Sequence, residues 1–253
     1  MLSRAASQNL RYVDNGKVNR KSRFFLLLFF PLLATTPANV PLVAQDVLRG
    51  EVRVEMEPFP IFSGFVEERV PLDTDGAHRQ ALQMAALFFA AQIYGWSFHY
   101  DIGERARSIA EEFELTALGE IHWGDPRLFV THARFDNNVF SAWMDYRPSG
   151  AQHQRLQMWR MGNIRAAQGI GHGPFGGPTA DTDWLDIKMI ALEDAARAAV
   201  RAMLQASERN HPRQATGFIS LQNFPSFWLD AGRLAARARF RVEIREIIPF
   251  AVH

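Results

Sequence analysis

The sequence runs to 253 residues, of which 47% are hydrophobic and 22% charged, with a formal net charge of +1 and no cysteine. These are globular proportions, and they exclude a disordered or fibrous chain. The missing cysteine excludes disulfides, thiolate metal sites, a cysteine nucleophile and a lipid-anchoring lipobox.

The N-terminal segment reads as an export signal. Lys17, Arg20, Lys21 and Arg23 form a basic region, and Phe24–Leu33 (FFLLLFFPLL) forms an apolar one. Small residues then give cleavage points after Ala38 or after Ala44. An apolar run this short, broken by Pro31, is poorly suited to spanning ~30 Å of hydrocarbon as an uncleaved anchor. Residues 1–44 are thus expected to be a signal peptide and 45–253 a single domain. Removing the signal takes six of the 28 basic residues and one of the 27 acidic ones, leaving 22 against 26. The mild basicity belongs to the signal, so it is no argument for nucleic-acid binding.

Gly50–Glu57 alternates with period two, placing Val52, Val54 and Met56 on one face. Ala236–Ile248 answers it, with Ala238, Phe240, Val242 and Ile244 opposite Arg237, Arg239, Arg241, Glu243 and Arg245. Antiparallel pairing with Arg53 across from Glu243 makes every opposed charge complementary. The first and last strands are therefore expected to be neighbours. Between Pro58 and Gly76 one short strand near Phe62–Val66 is expected.

Ala77–Tyr94 reads as a helix stopped by Gly95. Leu82, Met84 to Ala91 and Ile93 leave only Gln83 and Gln92 for water, so the helix is expected to be buried within the fold. A strand at Trp96–Asp101 and an amphipathic helix at Glu104–Phe113 follow. A four-strand meander is then predicted over Thr116–Trp123, Leu128–Phe135, Val139–Arg147 and His153–Met161. Its turn registers put Ile121, Trp123, Leu128, Val130, Ala142, Met144, Tyr146, Leu156 and Met158 on one face. Asn163–Ala180, with five glycines and two prolines, reads as a loop without regular structure. Asp183–Ser207 reads as a second amphipathic helix capped by Asp181 or Asp183. Short strands at Gly217–Gln222 and Ser226–Asp230 lead through Ala231-Gly232 to the closing strand. The class expected is α+β: a mainly antiparallel sheet packed on one face by a buried Ala/Phe-rich helix and two amphipathic helices.

Candidate chemistry is sparse. His122, Asp125, His132 and Asp136 resemble a metal cluster, but the predicted register sends the two histidines to opposite sheet faces, so no metal is expected. Gly171-His172-Gly173 sits at the tip of the glycine loop 169–177, where a ligand-covering lid would place it. That loop fits neither a phosphate-binding nor a dinucleotide pattern, and no cofactor is expected. Ligand-binding candidates are His172, Gly171, Gly173, His122 and Asp125, and no residue is nominated as catalytic. The arginine row of the closing strand has two readings, an anion site or the partner of the first strand. Trp143 has two as well, a sugar platform or a core aromatic.

The function expected is that of an exported envelope protein in the periplasm or outside the cell. It reads as a binding or structural module meeting an envelope protein or cell-wall partner, and it meets the membrane only through the signal segment. Two alternatives stand beside it. One is a hydrolase with its site between the 169–177 loop and the 116–147 meander. The other is a carbohydrate-binding domain on the Trp143 face.

Overall fold

In the computed structural model, residues 47–56, 72–103, 110–161, 164–175, 183–207 and 212–249 are described. The expected signal segment, the short strand near Phe62–Val66 and residues 104–109 of the expected second helix lie outside them.

Helix α1 (Thr74–Ile93) forms where its composition places it. Asp73 caps it by accepting from the Gly76 N–H at 2.7 Å, and Gly95, at φ +71°, ends it. Its burial is nearly complete: Ala77, Ala81, Met84, Ala85, Phe88, Phe89 and Ile93 are all sealed from solvent. Gln92, expected to face water, is buried too. The cause is that α1 has a sheet on each side.

One sheet holds three antiparallel strands in the order β1 (Leu48–Glu55), β5 (Val139–Tyr146), β4 (Leu128–Asp136). The other runs β3 (Glu112–Ala117), β2 (Trp96–Asp101), β7 (Pro212–Leu221), β9 (Arg233–Pro249), β6 (Arg165–Phe175), with β8 (Ser226–Asp230) also paired to β9. Phe89 of α1 stacks on Tyr146 of the first sheet, with ring centroids 5.6 Å apart. Phe88 stacks on Phe227 of the second at 6.1 Å. The architecture is α+β with antiparallel sheets, and the sequence reading of the class holds.

Several elements differ from expectation. The first strand pairs with β5, not with the last strand, and the two lie in different sheets. Complementary alternation was not unique to the chain ends. β5 offers Ala142 and Phe140 opposite Val52 and Val54. It also offers Asp145 to Arg49, which donates to both carboxylate oxygens at 2.7 and 2.8 Å. Thr116–Trp123 is not a meander strand: β3 ends at Ala117 and belongs to the other sheet. The amphipathic helix expected to reach Phe113 does not, because Glu112 and Phe113 are already strand.

His153–Met161 is not a strand either. Helix α2 (Gly150–Met158) starts at a capping box in which Ser149 and Gln152 exchange side-chain and backbone bonds. That local cap outweighs a weak two-residue period. On the predicted common face, Leu128, Ala142, Met144, Tyr146, Ile121 and Leu156 are buried, whereas Trp123, Val130 and Met158 are exposed. A bulge after Val130 shifts the β4 register and turns Phe135 to Phe140, the side away from Trp143.

The largest correction concerns the glycine segment. Residues 165–175 form strand β6, paired with β9, and helix α3 (Trp184–Ser207) lies directly on it. Gly169, Gly171 and Gly173 face Ile187, Ala191, Ala195 and Ala199 of α3. A Cβ added at Gly169 or Gly171 would come within 3.0 Å of the Ala195 backbone. The glycines thus serve close approach of strand and helix rather than chain freedom. Helix α3 itself is as expected. Asp183 caps it, accepting from the N–H groups of Leu185 and Asp186 at 2.7 and 2.9 Å.

Gly171→Ala is expected to destabilise the fold by about 3 kcal/mol or more, through overpacking against backbone that cannot retreat. Gly150→Ala, where nothing lies within 4 Å of the added carbon, is expected to be neutral or slightly stabilising. Urea denaturation of the two variants checks the contrast.

Candidate functional site

Alanines and glycines along α1 and its exit leave a hollow. Ala86, Leu87, Ala90 and Ala91 form its floor, Gly95, Trp96 and Met189 its sides, and Ala117 with the chain from Gly119 to Trp123 its outer wall. The cavity measures about 410 Å³, within the ~300–1,000 Å³ range of small-molecule sites. Its walls are apolar. Gln83, Glu120 and His122 are its polar side chains, and the last two are exposed at the mouth. His122 Nδ1 accepts from the Gly124 N–H at 3.1 Å, so in the neutral ring the proton sits on Nε2. The imidazole also stacks on Trp123, 5.7 Å between centroids.

A polar cluster holds this outer wall in place. Asp125 accepts from the Arg127 N–H at 2.9 Å and from its guanidinium at 3.0 and 2.7 Å. Tyr146 donates to Asp125 at 3.3 Å. Gln152 takes Arg127 Nη1 on its oxygen at 3.1 Å and donates to the Tyr94 hydroxyl at 2.8 Å. The turn is thereby tied to β5, α2 and the end of α1. The Arg127 hydrogen bonds hold the Asp125 carboxyl below the usual range against its burial. Burial pushes the Tyr146 phenol up.

His172 lies elsewhere, in a polar cleft of about 610 Å³ between β3 and α3. Glu111, Glu112, Glu114, Glu193, Asp194, Arg197 and Arg233 share its walls. The His172 N–H donates to Asp194 Oδ2 at 2.8 Å, and its Nε2 lies 3.3 Å from Asp230 Oδ2. Arg197 bonds Asp194 and Arg201 bonds Glu111. Burial, with Asp194 and Glu114 nearby, raises the Glu193 carboxyl against the pull of Arg197. Burial and the hydrogen bond to Glu111 push the adjacent Tyr100 phenol up to about 12. Among the described residues no hydroxyl, thiol or amine side chain lines the cleft. Among the described residues no group of three or more His, Asp or Glu is placed to hold a metal ion.

The five sequence-nominated residues are therefore dispersed. His122 and Asp125 share one turn, but only His122 faces the cavity, and Asp125 is consumed by Arg127. His172 belongs to the cleft, while Gly171 and Gly173 are packed under α3. Among the described residues His122 lines the apolar cavity and His172 the polar cleft, so the two histidines do not share either space. His132 sits opposite Trp143 of β5. Trp143 is 42% exposed, on the outer face of the three-stranded sheet. Residues missed in the sequence include Gln152 and Arg127, whose partners are remote in the chain. Lys188 was missed as well: it is buried and donates to Glu55 at 2.8 Å and to the Arg53 carbonyl at 3.0 Å.

A family model with no function attached matches residues 38–250. The chain belongs to that family. A protein of Treponema pallidum (strain Nichols), named "Uncharacterized protein", is 22% identical over 171 residues, covering 68% of this chain and 69% of its own length. No solved structure matches. The family match spans every element described above, so the cavity and the cleft both lie within it.

Because the folded-state pKa of Asp125 lies below its unfolded value, its contribution is present above the ordinary carboxylate range and fades as pH falls through the lowered value. Asp125→Asn is expected to cost about 1–3 kcal/mol at neutral pH, since Arg127 and Tyr146 lose their acceptor. It should also flatten the acid limb of the stability profile, read by thermal melts across pH.

Proposed function

We propose that the protein is exported and acts as a non-catalytic binding module that takes a small apolar ligand into the cavity beside α1. The observation that carries this reading is the lining of that cavity, mostly alanine, glycine, leucine, isoleucine, methionine and tryptophan, with Gln83, Glu120 and His122 as its polar side chains. Such a surface offers burial of apolar area and little else, and burial is worth about 25 cal/mol per Å². The polar cleft, where Arg197 bonds Asp194 and Arg201 bonds Glu111, gives no comparable argument for turnover.

Export is supported by the basic and apolar regions of residues 17–33, and by a family match that starts at residue 38, where the first expected cleavage falls. Among the described residues no helix is long and apolar enough to cross a membrane. An envelope setting is compatible with a carrier or sensor of apolar molecules, meeting an envelope or cell-wall partner.

Two measurements test the proposal. Protein recovered from the envelope of expressing cells should begin at Asn39 or Gln45 by mass spectrometry; an unprocessed chain confined to the cytosol would overturn export. The neutral fluorophore N-phenyl-1-naphthylamine should bind saturably at one site and quench tryptophan emission, since Trp96 and Trp123 line the cavity. Ala90→Phe should abolish that binding while leaving the protein folded, and Leu87→Gln should weaken it. Unchanged binding in both variants, or none in the native protein, would remove the cavity from consideration.

A further inference from the structure

The face of the six-stranded sheet turned away from α3 carries a row of arginines. Arg237, Arg239 and Arg241 take alternate positions on β9, so their side chains leave the same face ~6.6 Å apart. Pairing of the chain ends would have neutralised them against glutamates of β1, but β1 lies in the other sheet. Their actual cross-strand neighbours are all uncharged. Ile170 and Ser226 flank Arg237, Gln168 lies beside Arg239, and Ala166 and Ser220 flank Arg241.

Among the described residues, Arg239 and Arg241 have neither an ion pair nor a hydrogen-bond partner for their side chains. The Arg237 guanidinium rests over the Trp228 ring, 5.3 Å from its centroid. Farther along, Arg245 is paired with Glu243 at 3.0 Å, and the uncompensated row ends there. Partial burial, and then the charge of Arg160, push the Arg241 guanidinium down. The Ser220 hydroxyl, on the strand beside Arg241, is buried without a partner. Like charges gathered with no carboxylate among them are at their most favourable once an anion arrives.

We propose that this face binds a linear acidic polysaccharide, with uronate carboxylates on Arg237, Arg239 and Arg241 and sugar hydroxyls on Gln168 and Ser226. The guanidinium fork matches a carboxylate in two parallel bonds. A row along one strand suits a chain-like ligand better than a point anion. Single-stranded nucleic acid is less well served, since the nearby rings of Trp228 and Phe218 are already covered by the guanidinium groups of Arg237 and Arg245. Among the described cross-strand neighbours of the row, an anionic bilayer would find only Ile170 as a large apolar side chain to insert between the charges. This inference stands independently of the apolar cavity, which opens on the other side of the sheet.

The test uses the full chain after signal removal and oligogalacturonate as ligand, measured by calorimetry. Binding should weaken steeply with salt, as counterion release requires. Arg237→Gln with Arg239→Gln, both exposed positions, should lose about tenfold or more in affinity with an unchanged melting temperature. Arg134→Gln, on the other sheet, should bind as the native protein does. The proposal is overturned if the double variant is folded and binds undiminished, or if neutral dextran binds equally well. It is likewise overturned if oligodeoxythymidylate or phosphatidylglycerol vesicles bind as tightly as oligogalacturonate. Failure of the cavity fluorophore would leave this result untouched, and the reverse also holds.

Discussion

Backbone-to-backbone contact between β6 and α3 sets the dimensions of the fold. Gly169 and Gly171 meet the backbone of the alanine stripe on the helix with no side chain between, and Gly173 meets the Ile187 side chain. With α3 seated so deeply, Lys188 reaches across to Glu55 and the Arg53 carbonyl on β1, an edge strand of the opposite sheet. That ammonium also lies 5.7 Å from the Phe227 ring centroid. The two sheets are thereby tied through one helix, and α1 is enclosed between them. A buried pair of this kind is weak evidence for net stability, because desolvation offsets much of the attraction. Its clearer effect is positional: any other register of α3 would strand a buried charge.

This arrangement explains which parts of the fold were legible. The apolar circumference of Ala77–Tyr94 announced a helix buried within the fold, and from Ala81 to Ile93 no residue of it is exposed. The hairpin from Leu128 to Tyr146 was legible from its alternation and its Asp136-Asn137-Asn138 turn, where both asparagines adopt positive φ. What failed were inferences from a local signal with two meanings. Glycine density marks loops in most chains, but here every second residue is glycine because a helix backbone occupies the space. The complementary charges of the chain ends were real, yet Arg49 with Asp145 satisfied the first strand more directly. Periodicity reports that a strand has a polar face without naming its neighbour.

The candidate sites were less legible for a related reason. His122 was nominated as a ligand-binding candidate and lines an apolar cavity, a hollow created by the absence of side-chain volume at Ala86, Ala90, Ala91, Gly95 and Gly119. Small residues spread over three elements leave no local signature. The cluster around Asp125 is assembled from Tyr94, Arg127, Tyr146 and Gln152, and it joins positions 58 residues apart. Asp125 was conspicuous because it is a charged residue in a turn. Its role in fixing that turn follows only from the partners the fold delivers.

Lys188 has a practical corollary. Beyond Lys21 it is the sole lysine of the chain, and its side chain is 2% exposed. Acylating reagents should therefore find no accessible ε-amine on the folded domain. Any modification at that position must await separation of α3 from β1, so its rate clocks the opening of the helical layer itself.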